Sequence, residues 1–261
     1  MFRFDEDRFY VMPPFFGGAP VRRKIEPMDC RGVYLKAESE SGALEKFLPE
    51  GFELQKPQLT FTAEHCAGPS WLDGRDICLA SVGVPVRYTG NDEGLSGTLL
   101  LAVWADDVST VISLREETGT PAMYADISLV KNEGLRYAVC IGGEKPFLRV
   151  YFSGAETLGA DELQAVNASF PGRSFCWRYI PNVGGPGAAL SQAVLSPYRR
   201  TVLEGCAGTG GMAWQRENFR AFGMQQNVLS ALADLSGEGS ASGFACRGSL
   251  HVMPELARPL P

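Results

Sequence analysis

The feature that most constrains this chain is a run of short apolar segments at nearly even spacing, each closed by a turn signal. Strand-like stretches fall at 30–37, Gln58–Ala63, Ile77–Val86, Gly97–Trp104, Ser109–Leu114, Leu135–Cys140 and Phe147–Phe152. Gly68-Pro69-Ser70, Gly90-Asn91-Asp92-Glu93-Gly94, Gly142-Gly143 and Gly154 punctuate them. Phe175–Ile180, Ala189–Leu195, Arg200–Glu204 and Phe244–Val252 continue the pattern. Helical spacing is confined to Glu40–Phe47, with Ser39 or Ser41 as N-cap and Pro49 as stop, to 156–168, and to part of Asn218–Leu235. The reading is α+β with strands dominating, built as an antiparallel barrel or sandwich.

The same sequence narrows the partners. A net charge of −6 argues against nucleic acid, and Arg22-Arg23-Lys24 is its one basic cluster. No apolar run approaches ~20 residues, so no membrane span is expected. The charged start, Met1 to Asp7, lacks a signal-peptide core. Seven scattered cysteines without a Cys-x-x-Cys, and only two histidines, predict neither a zinc site nor a disulfide framework. They read as buried small hydrophobes of a reducing, cytoplasmic compartment. The glycine-rich Gly205–Gly211 lacks the Gly-Lys-Ser/Thr of a phosphate loop and the βαβ setting of a dinucleotide fingerprint. It reads as a flexible turn, or as a loop near a ligand mouth. No cofactor and no metal is expected.

The chemistry hangs on Leu114–Ile127, which reads Leu-Arg-Glu-Glu-Thr-Gly-Thr-Pro-Ala-Met-Tyr-Ala-Asp-Ile. This stretch resembles the signature of the acetoacetate decarboxylase family, in which Arg-Glu, a short turn and a Pro precede two adjacent lysines. Arg115, Glu116, Thr118, Gly119 and Pro121 fit; Ala122 and Met123 stand where the lysines would be. Three other segments are similar to the family's in the same order: Met12–Gly17, Ala43–Leu54 and Tyr179–Gly185. The resemblance implies one domain over 1–261, a closed antiparallel β-structure with peripheral helices and a cavity inside, and a homo-oligomer.

It also implies an altered site. The family's lysine forms an imine with a ketone, its amine made nucleophilic by an adjacent cationic group. A methyl group and a thioether cannot. By the same matching, Thr62 and Leu79 replace two cavity glutamates, and Cys30 or Arg31, one residue apart, falls at the cavity arginine. Cys30, Thr62, Leu79, Ala122 and Met123 are therefore expected to line a largely apolar pocket. Strand parity adds Glu64 to the face of Thr62. With lysine absent, Glu64 and Glu116 become the candidate acid–base groups, Glu64 through desolvation by apolar walls. Tyr124 could donate a hydrogen bond to a carbonyl, and Arg31 could hold a carboxylate or enolate.

Three functions follow. The first is a small-molecule enzyme without imine chemistry, acting on a keto-acid or polyketide-like, largely apolar substrate as a lyase, hydratase or dehydratase, isomerase or cyclase. The second is a non-catalytic pocket protein. The third is an imine enzyme using a displaced lysine, Lys131 being nearest to the signature in sequence.

Overall fold

The computed structural model describes residues 3–18, 24–69, 72–90, 94–236 and 239–261. Arg22-Arg23 of the basic triplet, Ser70 and Asn91-Asp92-Glu93 lie outside the described residues. Strands dominate. β1 (Met28–Glu38) is followed by α1 (Ser41–Glu45), β2 (Phe52–Leu54), β3 (Gln58–Cys66), β4 (Ile77–Tyr88) and β5 (Leu95–Ala105). Then come α2 (Val108–Thr118), β6 (Ala122–Tyr124), β7 (Ile127–Lys131), β8 (Arg136–Ile141) and β9 (Leu148–Thr157). The last part holds α3 (Ala160–Ser169), β10 (Arg173–Pro181), β11 (Ala188–Trp214), α4 (Gln226–Leu235), β12 (Ala241–Val252) and β13 (Arg258–Pro259).

Pairing runs β10-β5-β4-β3-β1-β12-β11, and β11 also pairs with β10, so the sequence of pairings returns on itself. The far half of β11 pairs with β9 and carries β8 and β7 as a wing. Not every pair is antiparallel as expected. β10 meets β5 in parallel, over only Ser174↔Thr98 and Phe175↔Leu99, and β6 also runs parallel to β5.

Period-two alternation sorts the side chains. On β3, Leu59, Phe61 and Ala63 are fully buried in the main core with Leu35, Trp104, Phe147 and Phe175. Thr60, Thr62 and Glu64 turn to the other face. On that face Tyr34 of β1, Phe244 and Cys246 of β12 and Phe170 at the end of α3 come together, while α2 packs on Val103 and Ala122, in one cluster with Cys30 and Cys66.

Two sequence expectations change. Ser109–Leu114 is not a strand but the first half of α2. Its Val-Ser-Thr-Val-Ile content favours strand, yet Asp107 caps the helix by accepting from the Thr110 N–H at 2.7 Å, and Gly119 ends it at φ +67°. Gly205–Gly211 is no loop either, but part of the far half of β11. A Cβ on Gly208 or Gly210 would collide with the carbonyl oxygens of Ser153 and Tyr151 on β9. These glycines serve close strand approach.

Candidate functional site

The signature is split across two elements. Arg115 and Glu116 sit on the last turn of α2, Gly119–Pro121 turn the chain, and Ala122–Tyr124 form β6. Arg115 donates to the Ala122 carbonyl at 3.0 Å. Arg178 on β10 donates to the Glu116 carbonyl at 2.7 Å. Beneath the turn, the buried Thr118 and Thr120 hydroxyls bond each other at 2.8 Å. The polar signature residues thus hold the backbone that presents Ala122.

Register carries one face across five strands. Gly32 pairs with Glu64 and Tyr34 with Thr62; Glu64 pairs with Leu79 and Thr62 with Ser81. Leu79 pairs with Ala105, Ser81 with Val103, and Val103 with Ala122. Directly paired residues project to the same side. Cys30, Thr62, Glu64, Leu79 and Ala122 therefore share a face. Thr62 and Ser81 hydroxyls are 2.7 Å apart.

The centre of that face is charged. Arg200 of β11 reaches Glu64 Oε1 through its Nη2, and the Tyr34 hydroxyl donates to the same oxygen. The Arg200 and Glu64 side chains are 3% and 10% exposed. The Arg200 guanidinium also lies 5.4 Å from the Tyr34 ring centroid. Tyr34 stacks on Phe244 at 4.8 Å and meets Phe170 edge-on at 5.6 Å. β1 and β12 lie between β3 and β11. Three strand spacings span about 14 Å in a flat sheet, so the contact requires the sheet to curl toward this face. Gly32 leaves the room: its Cβ would stand 2.8 Å from the Ala63 carbonyl oxygen and 3.1 Å from Glu64 Cγ.

Burial holds the Tyr34 phenol well above the usual tyrosine range, and Arg200 offsets only part of that push. Burial likewise pushes the neighbouring Cys246 thiol up to about 12, against the pull of Arg200.

The remaining candidates lie elsewhere. Arg31 is exposed on the opposite face of β1, so of the two it is Cys30 that shares the Glu64 face. Met123 also points away. It follows Ala122 on the same strand and packs against the main core, so the two do not share a pocket wall. Tyr124 is 44% exposed and donates to Asp126 at 2.7 Å, a bond that raises its pKa. Glu116 accepts the Met12 N–H at 2.8 Å and so clips the N-terminal segment to α2. Glu64 is not the lone carboxylate expected from the sequence, because Arg200 compensates its charge. Cys30 is not a free thiol: it is joined to Cys66, its partner in the β1–β3 register, with Cα atoms 4.2 Å apart. The five other cysteines are free.

All six lysines are exposed. Lys131 lies on the β7 wing, with its ammonium 5.8 Å from the Tyr137 ring centroid. Among the described residues no group of three or more His, Cys, Asp or Glu side chains is arranged to hold a metal, and no helix is long and apolar enough to cross a membrane.

A cleft of about 430 Å³ opens between α4 and the β5–β10 seam, walled mainly from the main-core side by Leu99, Leu101, Trp177, Val228 and Leu232, with Leu100 reaching it from the other face. Pro121, Leu100, Trp177 and Ala231 are among its walls, and none of the candidate residues lines it.

The family description "Acetoacetate decarboxylase (ADC)" matches residues 11–235. The chain belongs to the acetoacetate decarboxylase family. Solved structures share the fold at low identity. An acetoacetate decarboxylase from Legionella pneumophila subsp. pneumophila str. Philadelphia 1 is 19% identical, with a TM-score of 0.69, covering 93% of this chain and 92% of that one. The enduracididine biosynthesis enzyme MppR, complexed with the condensation product of pyruvate and imidazole 4-carboxaldehyde, is 12% identical, with a TM-score of 0.72, covering 98% and 97%. An acetoacetate decarboxylase-like enzyme from Sphingomonas wittichii RW1 is 13% identical, with a TM-score of 0.66, covering 92% and 94%. No curated protein sequence matches the chain. Tyr34 and Arg200 were not candidates from sequence. Tyr34 shares strand parity with Cys30, a usable signal; nothing local places Arg200 beside Glu64.

Proposed function

We propose that this chain is a small-molecule enzyme working without imine chemistry, acting on a keto-acid or polyketide-like, largely apolar substrate. One observation carries the reading. The face that bears Ala122 holds a buried carboxylate–phenol–guanidinium cluster, while every lysine is exposed, Lys36 at the rim of the same face opposite Thr60 included. The cluster supplies the parts of proton-transfer chemistry beside a carbonyl. Glu64 accepts a proton from the carbon next to it. As Glu64 takes up that proton, the Tyr34 hydroxyl turns from Glu64 to the carbonyl oxygen, and Arg200, no longer facing a carboxylate, balances the charge that develops there. Enolisation of this kind opens one route to isomerase, dehydratase, lyase and cyclase reactions on carbonyl substrates. MppR has been captured with pyruvate, which supports a 2-oxo acid as the substrate class to test first.

Reduction with borohydride in the presence of 2-oxobutanoate, followed by intact-protein mass measurement, tests the absence of an imine. No mass increase is expected. A stable adduct on a lysine would replace this reading with the displaced-lysine one.

A non-catalytic pocket is the second reading. Its support is that Glu64 already has a cationic partner, which makes a carboxylate a weaker base. Binding of 2-oxo acids without turnover or proton exchange would favour it.

A further inference from the structure

The cleft of about 430 Å³ falls within the range of small-molecule sites, roughly 300–1,000 Å³. Its position follows from the sheet. β10 and β5 pair only at Ser174↔Thr98 and Phe175↔Leu99. Beyond Leu99 they part, and β6 takes over the edge of β5 from Val103 onward. The cleft lies at this seam, with Leu100 and Leu101 on one side, Trp177 of β10 on the other, Pro121 at the end, and Val228 and Ala231 of α4 above. Its walls are apolar. The Trp177 indole N–H is taken up by Ser191 Oγ at 3.0 Å, which leaves the exposed Asn227 amide as the polar group at the rim.

Two links join the cleft to the Glu64 face. Pro121 precedes Ala122 directly. Leu100 lines the cleft and also packs against the cluster that contains Ala122, Cys30 and Val103. A β-bulge between Val82 and Gly83 of β4, where one residue of β5 is skipped, lets Leu99, Leu100 and Leu101 all reach the cleft.

We infer that the β5–β10 seam is the apolar subsite of the substrate, holding an unbranched alkyl chain whose oxo-acid head passes Leu100 toward Ala122 and Glu64. The inference rests on the keto-acid reading above and adds to it the part of the substrate that gives affinity.

The test is calorimetric titration of the full chain with straight-chain 2-oxo acids from 2-oxobutanoate to 2-oxononanoate. Each methylene buried in the seam should tighten binding about threefold, so the series should gain on the order of 10²-fold. In Ala231→Trp, which fills the cleft from α4, that ratio should collapse toward one. Trp177→Phe provides a second readout at the cleft: 2-oxononanoate should quench the wild-type tryptophan fluorescence more than that of this variant. Binding of 2-oxobutanoate with no gain along the series overturns the subsite and leaves the keto-acid reading standing. An unchanged ratio in a folded Ala231→Trp does the same. Failure of every acid to bind overturns both. A dimer that Ala231→Trp disperses, with no chain-length effect, gives the cleft to a second copy of the chain and also overturns the subsite.

Discussion

Glu64 meets two partners drawn from strands 30 and 136 residues away, and both contacts fall on its Oε1. Removing one member of a buried ion pair leaves the other charge uncompensated, which costs roughly 3–5 kcal/mol. Arg200→Met should therefore destabilise the fold by about that amount in urea unfolding, and Glu64→Leu combined with Arg200→Met should recover much of the loss. Additive losses in the double variant would mean that the two side chains contribute separately. The Tyr34 phenol gives a pH signature. Its folded pKa is raised above the unfolded value of about 10. Its contribution is therefore complete below pH ~10 and lost as pH rises further. Tyr34→Phe should flatten part of the fall in unfolding free energy between about pH 10 and 11.5; an identical slope would show that Tyr34 is not the group responsible. At this scale the sequence shows Thr62 and Glu64 on one face through strand parity. It does not show Arg200, because a contact across three strand spacings depends on sheet curvature, which no local pattern encodes.

At the scale of elements, the legible parts are those with strong local chemistry. β3, β4, β9, β10 and β12 lie close to their expected positions because alternation and turn residues agree. α2 was hidden. Its Val108–Leu114 stretch has strand-like composition, and the decisive signals are one residue at each end, Asp107 and Gly119. Replacing an N-cap aspartate by alanine typically costs about 1 kcal/mol. Asp107→Ala should lower stability by about that amount in thermal unfolding, with the Ala122 turn loosened because Arg115 anchors it from the same helix. An unchanged melting temperature would remove the cap from the explanation of why this stretch is helical. The disulfide was equally hidden. Cys30 and Cys66 are 36 residues apart in sequence and become neighbours only through the β1–β3 register. Met123 leaves the face of Ala122 for the reason that Glu64 joins that of Thr62: on a strand, consecutive residues cannot share a face and alternate ones do.

Across the whole molecule, the family fold was legible from four short segments in order, and the family match over residues 11–235 bears it out. The ring of pairings, the curled face and the seam at β10–β5 come from long-range contacts. The central proposal is that this face moves a proton by carboxylate chemistry rather than through an imine. Its most direct measurement is deuterium uptake at the C3 position of 2-oxobutanoate in D₂O, followed by NMR for wild type and Glu64→Gln. Glutamine keeps the shape and removes the proton acceptor. The account predicts enzyme-dependent uptake in wild type that falls by about 10²–10⁴-fold in Glu64→Gln while binding is largely retained. Uptake at the wild-type rate in Glu64→Gln would contradict it.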